Sequence, residues 1–238
     1  MSRENETDRL TKVYQNYTED KAIQRRWSST NPGNRAMTEE RALVLGQMLR
    51  QDGFMPLTNR RILDIGCGSG GALASLTQSG ASWNNLFGVD LLAERIEAAK
   101  RNYPGIQFTQ GNAADLDFED KSFDLVLIFT VFTSILDGHM ARKAAREATR
   151  VLKNSGAIVW YDFRYNNPYN LNVRGVSKQA IGMLFPHFTL KLRKVTLFPP
   201  LARRLGRATS TLYPLLSNLT WLTTHYAGLL VKPEECVG

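Results

Sequence analysis

Asp64, Gly66, Gly68 and Gly70 stand at alternate positions within residues 61–71, a pattern suited to gripping a nucleotide-like ligand. The apolar run Ile62, Leu63, Ile65 reads as a buried parallel strand. It breaks into a glycine-rich turn and then a helical stretch from Ala72 to Leu76. Glycines at a strand-to-helix turn let a ligand lie on the backbone, because no Cβ is in the way. A second carboxylate, Asp90, comes 26 residues after Asp64 and closes the apolar run Leu86, Phe87, Gly88, Val89. A carboxylate at such a strand tip can accept both hydroxyls of a ribose, each bond worth roughly 1.5–3 kcal/mol. It can also simply cap the helix of residues 91–102.

Gly66, Gly68 and Gly71 satisfy G-x-G-x-x-G, which by itself also fits the dinucleotide fold of an NAD-dependent oxidoreductase. Asp64 adds an acid two residues ahead of the first glycine. The resulting acid-x-G-x-G-x-G string, ending at Gly70, resembles the first motif of the class I S-adenosylmethionine-dependent methyltransferases. Later passages keep up the resemblance, which is strong over residues 60–165. Asp115 matches the family's acid for the adenine amino group. Phe123 and Asp124 enter the aliphatic run Leu125, Val126, Leu127, Ile128, Phe129 as the fourth motif does. Lys153, Asn154, Ser155 and Gly156 then turn the chain into a strand at 157–161. The resemblance implies S-adenosyl-L-methionine as cofactor and S-adenosyl-L-homocysteine as product. It implies a cofactor site of Asp64, Gly66, Cys67, Gly68, Gly70, Asp90, Leu91, Ala114, Asp115, Phe129 and Thr130.

Methyl transfer needs an aligned acceptor and, for a hydroxyl, a base. Asp162, Tyr165 and His225 are the catalytic candidates, with His139 a further one. Tyr14, Tyr17, Arg26 and Trp27 are candidates for a lid over the cofactor. Tyr14, Trp27, Arg164, Arg203, Arg204 and Arg207 are the candidates for touching the acceptor. Residues 130–133 (Thr-Val-Phe-Thr) replace the Asn/Asp-Pro-Pro-aromatic string of exocyclic-amine methyltransferases; Asn166, Asn167, Pro168 and Tyr169 lie too late and hold one proline. Neither cysteine suits cytosine C5 chemistry, and two cannot hold an iron–sulfur cluster. Thr130 cannot supply the metal-binding acid of catechol methyltransferases, so no metal is expected. The expected reaction is biosynthetic methylation of an O or N atom on a small-molecule or lipid- or saccharide-linked acceptor, with no nucleic acid. The other reading is a methyltransferase-fold protein that binds RNA or membrane without turnover.

The elements that must position these residues follow from periodicity. Residues 38–51 read as a covering helix, 106–110 as a third strand, and 138–152 as a helix with Ala141, Ala144, Ala145 and Ala148 on one face. A helix at 177–184 and strands at 188–197 and 225–231 complete the chain. The expected fold is α/β, a doubly wound, mostly parallel seven-stranded sheet with an antiparallel C-terminal strand pair. Residues 1–55 are expected to form an arm and helical cover, 56–163 the cofactor core, and 164–238 the end of the sheet with a basic, apolar insertion, all in one domain.

At 238 residues and 43% hydrophobic composition, the chain has ample apolar content for a core. Its two cysteines, Cys67 and Cys236, suit a reducing compartment, and a cytoplasmic protein is expected. The net charge of +8 is uneven: residues 164–238 hold 10 basic side chains against 2 acidic ones. That bias describes a partner of this end. An anionic or lipid-linked acceptor and peripheral contact with an anionic membrane are the expected partners.

Overall fold

A computed structural model of the chain describes residues 5–168 and 170–233. Cys236 and Tyr169 lie outside those residues. The frame is one seven-stranded sheet built from β1 (Ile62–Ile65), β2 (Leu86–Asp90), β3 (Gln107–Gln110), β4 (Phe123–Phe129), β5 (Leu152–Phe163), β6 (Thr189–Leu197) and β7 (Thr223–Val231). The strand order is β3-β2-β1-β4-β5-β7-β6, with β7 antiparallel to β5 and to β6 and the rest of the pairings parallel. The order reverses at β1, so the carboxyl ends of β1, β2 and β4 open a crevice there.

Alternation along the central strands sends side chains to two apolar layers. On one face Ile62, Leu125, Leu127, Val159 and Leu229 pack beneath α3 (Pro32–Gln51), α4 (Gly71–Ser75) and α5 (Ala93–Asn102). On the other, Leu63, Val126, Ile128, Ile158 and Trp160 pack beneath α1 (Glu6–Glu19), α6 (Gly138–Val151) and α7 (Lys178–Leu184). Small alanines at 141, 144, 145 and 148 let α6 approach its strands closely. The short α2 (Lys21–Arg26) follows α1.

Two element boundaries expected from sequence are corrected, and the insertion gains a structure. The covering helix expected from residue 38 begins earlier: Asn31 caps α3, its Oδ1 accepting from the N–H of Gly33 and Asn34, and Pro32 opens the helix. The fifth strand begins at Leu152, directly out of α6, and absorbs residues 153–156 through a register shift opposite Phe123 and Leu125. The basic insertion is helical, forming α8 (Pro199–Arg204) and α9 (Thr209–Ser217), which pack with α3 through Met37, Leu197, Ala202 and Tyr213.

Trp160 is fully enclosed, its ring 5.3 Å from Phe132 and 6.1 Å from Phe185. Trp160→Ala should lower stability by about 3–5 kcal/mol in urea unfolding, through lost burial and a cavity.

Candidate functional site

The glycine turn is shaped by backbone that ordinary residues resist. Gly66, Gly68 and Gly70 all have positive φ. The N–H groups of Gly66 and Cys67 both donate to the Val89 carbonyl, at 2.7 and 3.0 Å, fastening the turn to β2. A Cβ on Gly70 would meet Phe108 Cζ at 2.6 Å, so that glycine serves packing. A Cβ on Gly68 would meet no protein atom within 4 Å and would project into open space. At Gly68 the missing side chain thus permits the positive φ and also leaves open space against bare backbone.

Asp90 ties this turn to the next. Its Oδ2 accepts the Gly68 N–H at 2.9 Å and its Oδ1 accepts the Leu92 N–H at 3.0 Å. Each oxygen keeps a lone pair for a further donor. Asp64, at the end of β1, is 2% exposed, and burial followed by the Asp90 charge pushes its carboxyl up to about 8. Cys67 is a buried free thiol pushed well above its ordinary range by burial and by Asp64 and Asp90. It is structural rather than reactive.

A cavity of about 150 Å³ opens beside this turn. Of the cofactor residues expected from sequence, Gly66, Asp90, Leu91, Phe129 and Thr130 line it. Asp64, Cys67, Gly68, Gly70, Ala114 and Asp115 stand outside its lining. Asp115 is exposed, because its N–H bonds the Asn112 carbonyl in a tight turn that faces Gly111, Asn112 and Ala113 inward instead. Sequence reasoning passed over Leu10, Arg95 and Ser134, which also line the cavity. Proximity to the tips of β2, β3 and β4 was the available signal for all but Leu10.

Tyr14 closes the cavity from α1. Its hydroxyl lies 2.6 Å from Ser134 Oγ, Arg95 sits 4.6 Å over its ring, and burial raises its pKa despite the Ser134 bond. Arg9 donates to the Ser134 carbonyl at 2.6 Å, and Glu6 accepts the Leu136 N–H at 2.7 Å. The α1 helix is thereby pinned to the loop after β4. Tyr17 joins it by accepting from Asn170 at 2.9 Å.

The catalytic candidates lie elsewhere. Asp162 is fully buried, accepting the N–H groups of Thr133 and Phe163; burial raises its carboxyl to about 7 against those bonds. It shapes residues 130–134 and does not line the cavity. His225 stacks on Tyr161 with ring centroids 4.5 Å apart, lies 3.9 Å from the Phe163 ring, and is held down to about 3 by burial and then Arg41. Arg41 was not foreseen; its guanidinium spans the Phe129 and Tyr161 rings at 4.9 and 5.0 Å. Tyr165 is 51% exposed beneath Arg164.

The acceptor candidates also sit away from the cavity, apart from Tyr14. Arg164 braces the chain by donating to the carbonyls of Thr223 and Thr220. Arg203 donates to Asn34 Oδ1 and lies 4.3 Å over Trp27. Burial, followed by the Arg26 charge, lowers its pKa. Arg204 and Arg207 are exposed. These contacts place the insertion against α3. His139 and Arg26 line no part of the cavity either.

The topology, the glycine turn and the β2-tip carboxylate together define a class I S-adenosylmethionine-dependent methyltransferase fold, and the open space at Gly68 fits that cofactor. Residues 63–160 match the methyltransferase-domain family model. The chain is 38% identical over 115 residues to a phthiotriol/phenolphthiotriol dimycocerosates methyltransferase of Mycobacterium ulcerans, covering 47% of this chain and 40% of that protein. It is 33% identical over 110 residues to a fatty-acid O-methyltransferase of Mycolicibacterium smegmatis, covering 44% and 38%. The chain thus spans about two fifths of the length of these relatives. A putative sarcosine dimethylglycine methyltransferase from Galdieria sulphuraria has the same fold at 18% identity, with a TM-score of 0.64 over 84% of this chain and 88% of that one.

Gly68→Val should abolish S-adenosylhomocysteine binding in a protein whose circular dichroism is native, and Asp90→Ala should weaken it by at least roughly 1.5–3 kcal/mol. His225 takes up a proton on unfolding between about pH 3 and 6.5, so it contributes stability above that window that is lost as pH falls through it. His225→Phe, which keeps an aromatic stack, should flatten the slope of stability against pH there by about 1.4 kcal/mol per unit in denaturant titrations.

Proposed function

We propose that this chain transfers the methyl group of S-adenosylmethionine to an oxygen or nitrogen atom of an apolar, lipid-class small molecule. An ionised carboxylate oxygen is the acceptor that fits best. The observation carrying this reading is the placement of Asp90: its carboxylate, aligned by two backbone N–H groups, stands in the wall of the cavity between Gly66 and Thr130.

When bound, the cofactor supplies an already activated methyl group. Asp90 then receives its ribose hydroxyls, and the bare backbone at Gly68 admits its close approach. Leu10 and Tyr14 exclude water from above. Phe129 and Thr130 hold the acceptor in line, and alignment of this kind is worth roughly 7–11 kcal/mol of barrier. Asp90, Arg95 and Tyr14 are the charged or titratable side chains that line the cavity among the described residues. Asp90 is engaged by backbone donors and the tyrosine holds its proton above the usual range, so neither offers a base. An acceptor that arrives ionised needs none. The lipid names of the two curated relatives support the same acceptor class.

Long-chain fatty acids, alcohols and amines can be compared by the demethylated cofactor each releases. The fatty acid should give the highest kcat/KM, with a rate nearly flat above pH 6. Turnover confined to water-soluble polar acceptors, or none with any apolar one, would remove this reading.

A further inference from the structure

The bias of charge acquires a location. Residues 164–233 contain no aspartate or glutamate but hold all 10 basic side chains of the C-terminal third. Within that stretch α9 buries Thr209 and Tyr213 and turns another side outward. Leu212 and Leu215 of α9 and Leu219 in the turn after it are 39%, 62% and 42% exposed, and Trp221 just beyond is 72% exposed. Arg204 and Arg207 are exposed immediately before the helix. Leucines and a terminal tryptophan standing in water beside arginines, with no acid in the segment itself and the Glu40 carboxylate of α3 taken up by the Tyr213 hydroxyl and the Thr196 N–H, are the composition of a segment that lies in a lipid headgroup region.

Topology sets the direction of this patch. The Arg164 guanidinium, at the carboxyl end of β5, holds the carbonyls of Thr220 and Thr223, so the α9–β7 connection lies along that edge of the sheet. The cofactor cavity opens at the carboxyl ends of β1, β2 and β4, on the same edge.

We infer that α9 and the following turn dock this protein onto an anionic bilayer, with Leu212, Leu215, Leu219 and Trp221 entering the boundary between headgroups and acyl chains and Arg204 and Arg207 facing lipid phosphates. The purpose, drawing an apolar acceptor from the membrane, rests on the function proposed above; the docking itself does not. Arginine forks match phosphate oxygens, and the indole is at home at that depth. Trp27, 56% exposed beneath Arg203, flanks α8 with a second indole.

The test is sedimentation of the full chain with vesicles of phosphatidylglycerol mixed with phosphatidylcholine, and with phosphatidylcholine alone. The protein should co-sediment with the anionic vesicles and be released by salt. The Leu215→Glu/Leu219→Glu variant should lose partition by roughly tenfold or more. The Arg204→Gln/Arg207→Gln variant should lose less, and lose its salt dependence. Both substitute exposed positions, and native circular dichroism with unchanged S-adenosylhomocysteine affinity shows that they fold. Trp221→Phe should diminish the blue shift of indole emission on vesicle binding. Equal partition of wild type and leucine variant, or no binding to anionic vesicles, overturns the inference. So does light scattering that shows a dimer dispersed by the leucine variant, since the face would then be covered by a second copy. Vesicle binding without S-adenosylhomocysteine binding would leave the docking standing and remove the proposed reaction.

Discussion

The two bonds accepted by the Asp90 carboxylate, from Gly68 N–H and Leu92 N–H, are the constraint on which the rest of the site depends. They join two strand-to-helix turns that are 22 residues apart in sequence and neighbours at the crevice of the sheet. Bonds to an ionised acceptor are stronger than neutral ones. The alignment of the Asp90 side chain rests on these two bonds. Its neighbour Asp64, more deeply enclosed, is the carboxyl pushed toward the neutral form. Two acids at one strand edge are thus separated by environment, one in the wall of the cavity and the other enclosed in the protein.

Around that pair the helices divide the work. On one face α3 carries Arg41 over Phe129 and Tyr161, placing a cation among aromatic rings at the tip of β4 and β5. On the other, α1 is fixed by Arg9, Glu6 and Tyr14 to residues 134–136. Those residues are themselves shaped by Asp162, whose carboxylate receives the Thr133 N–H at 3.0 Å. A change at Asp162, which does not line the cavity, would reach the cavity through this loop.

Much of the core was legible because strong local signals agreed. The run at 123–129 could only be a buried strand, and Asp64, Gly66, Gly68 and Asp90 announce a crevice by type and spacing. The C-terminal strand pair was legible too, down to its pairing sense. What failed depended on contacts distant in sequence. Asp115 looked inward by position, but a turn closed by Asn112 faces it to solvent. Asp162 and His225 looked reactive by type, and burial among backbone donors and aromatic rings makes them structural. Arg203 looked like an acceptor ligand until Asn34 and Trp27, some 170 residues earlier, took it. A polar residue's role is set by what surrounds it, and a linear reading gives only its neighbours in the chain.

The central claim is that the Gly66–Asp90 crevice holds an adenosyl sulfur cofactor rather than a dinucleotide. Titration calorimetry of the wild-type chain with S-adenosylhomocysteine, and separately with NAD, tests it without any knowledge of the acceptor. The account predicts one site with micromolar affinity for the former and no heat with the latter, at about the 8 kcal/mol that a micromolar constant represents. Binding of NAD with silence toward S-adenosylhomocysteine would contradict it.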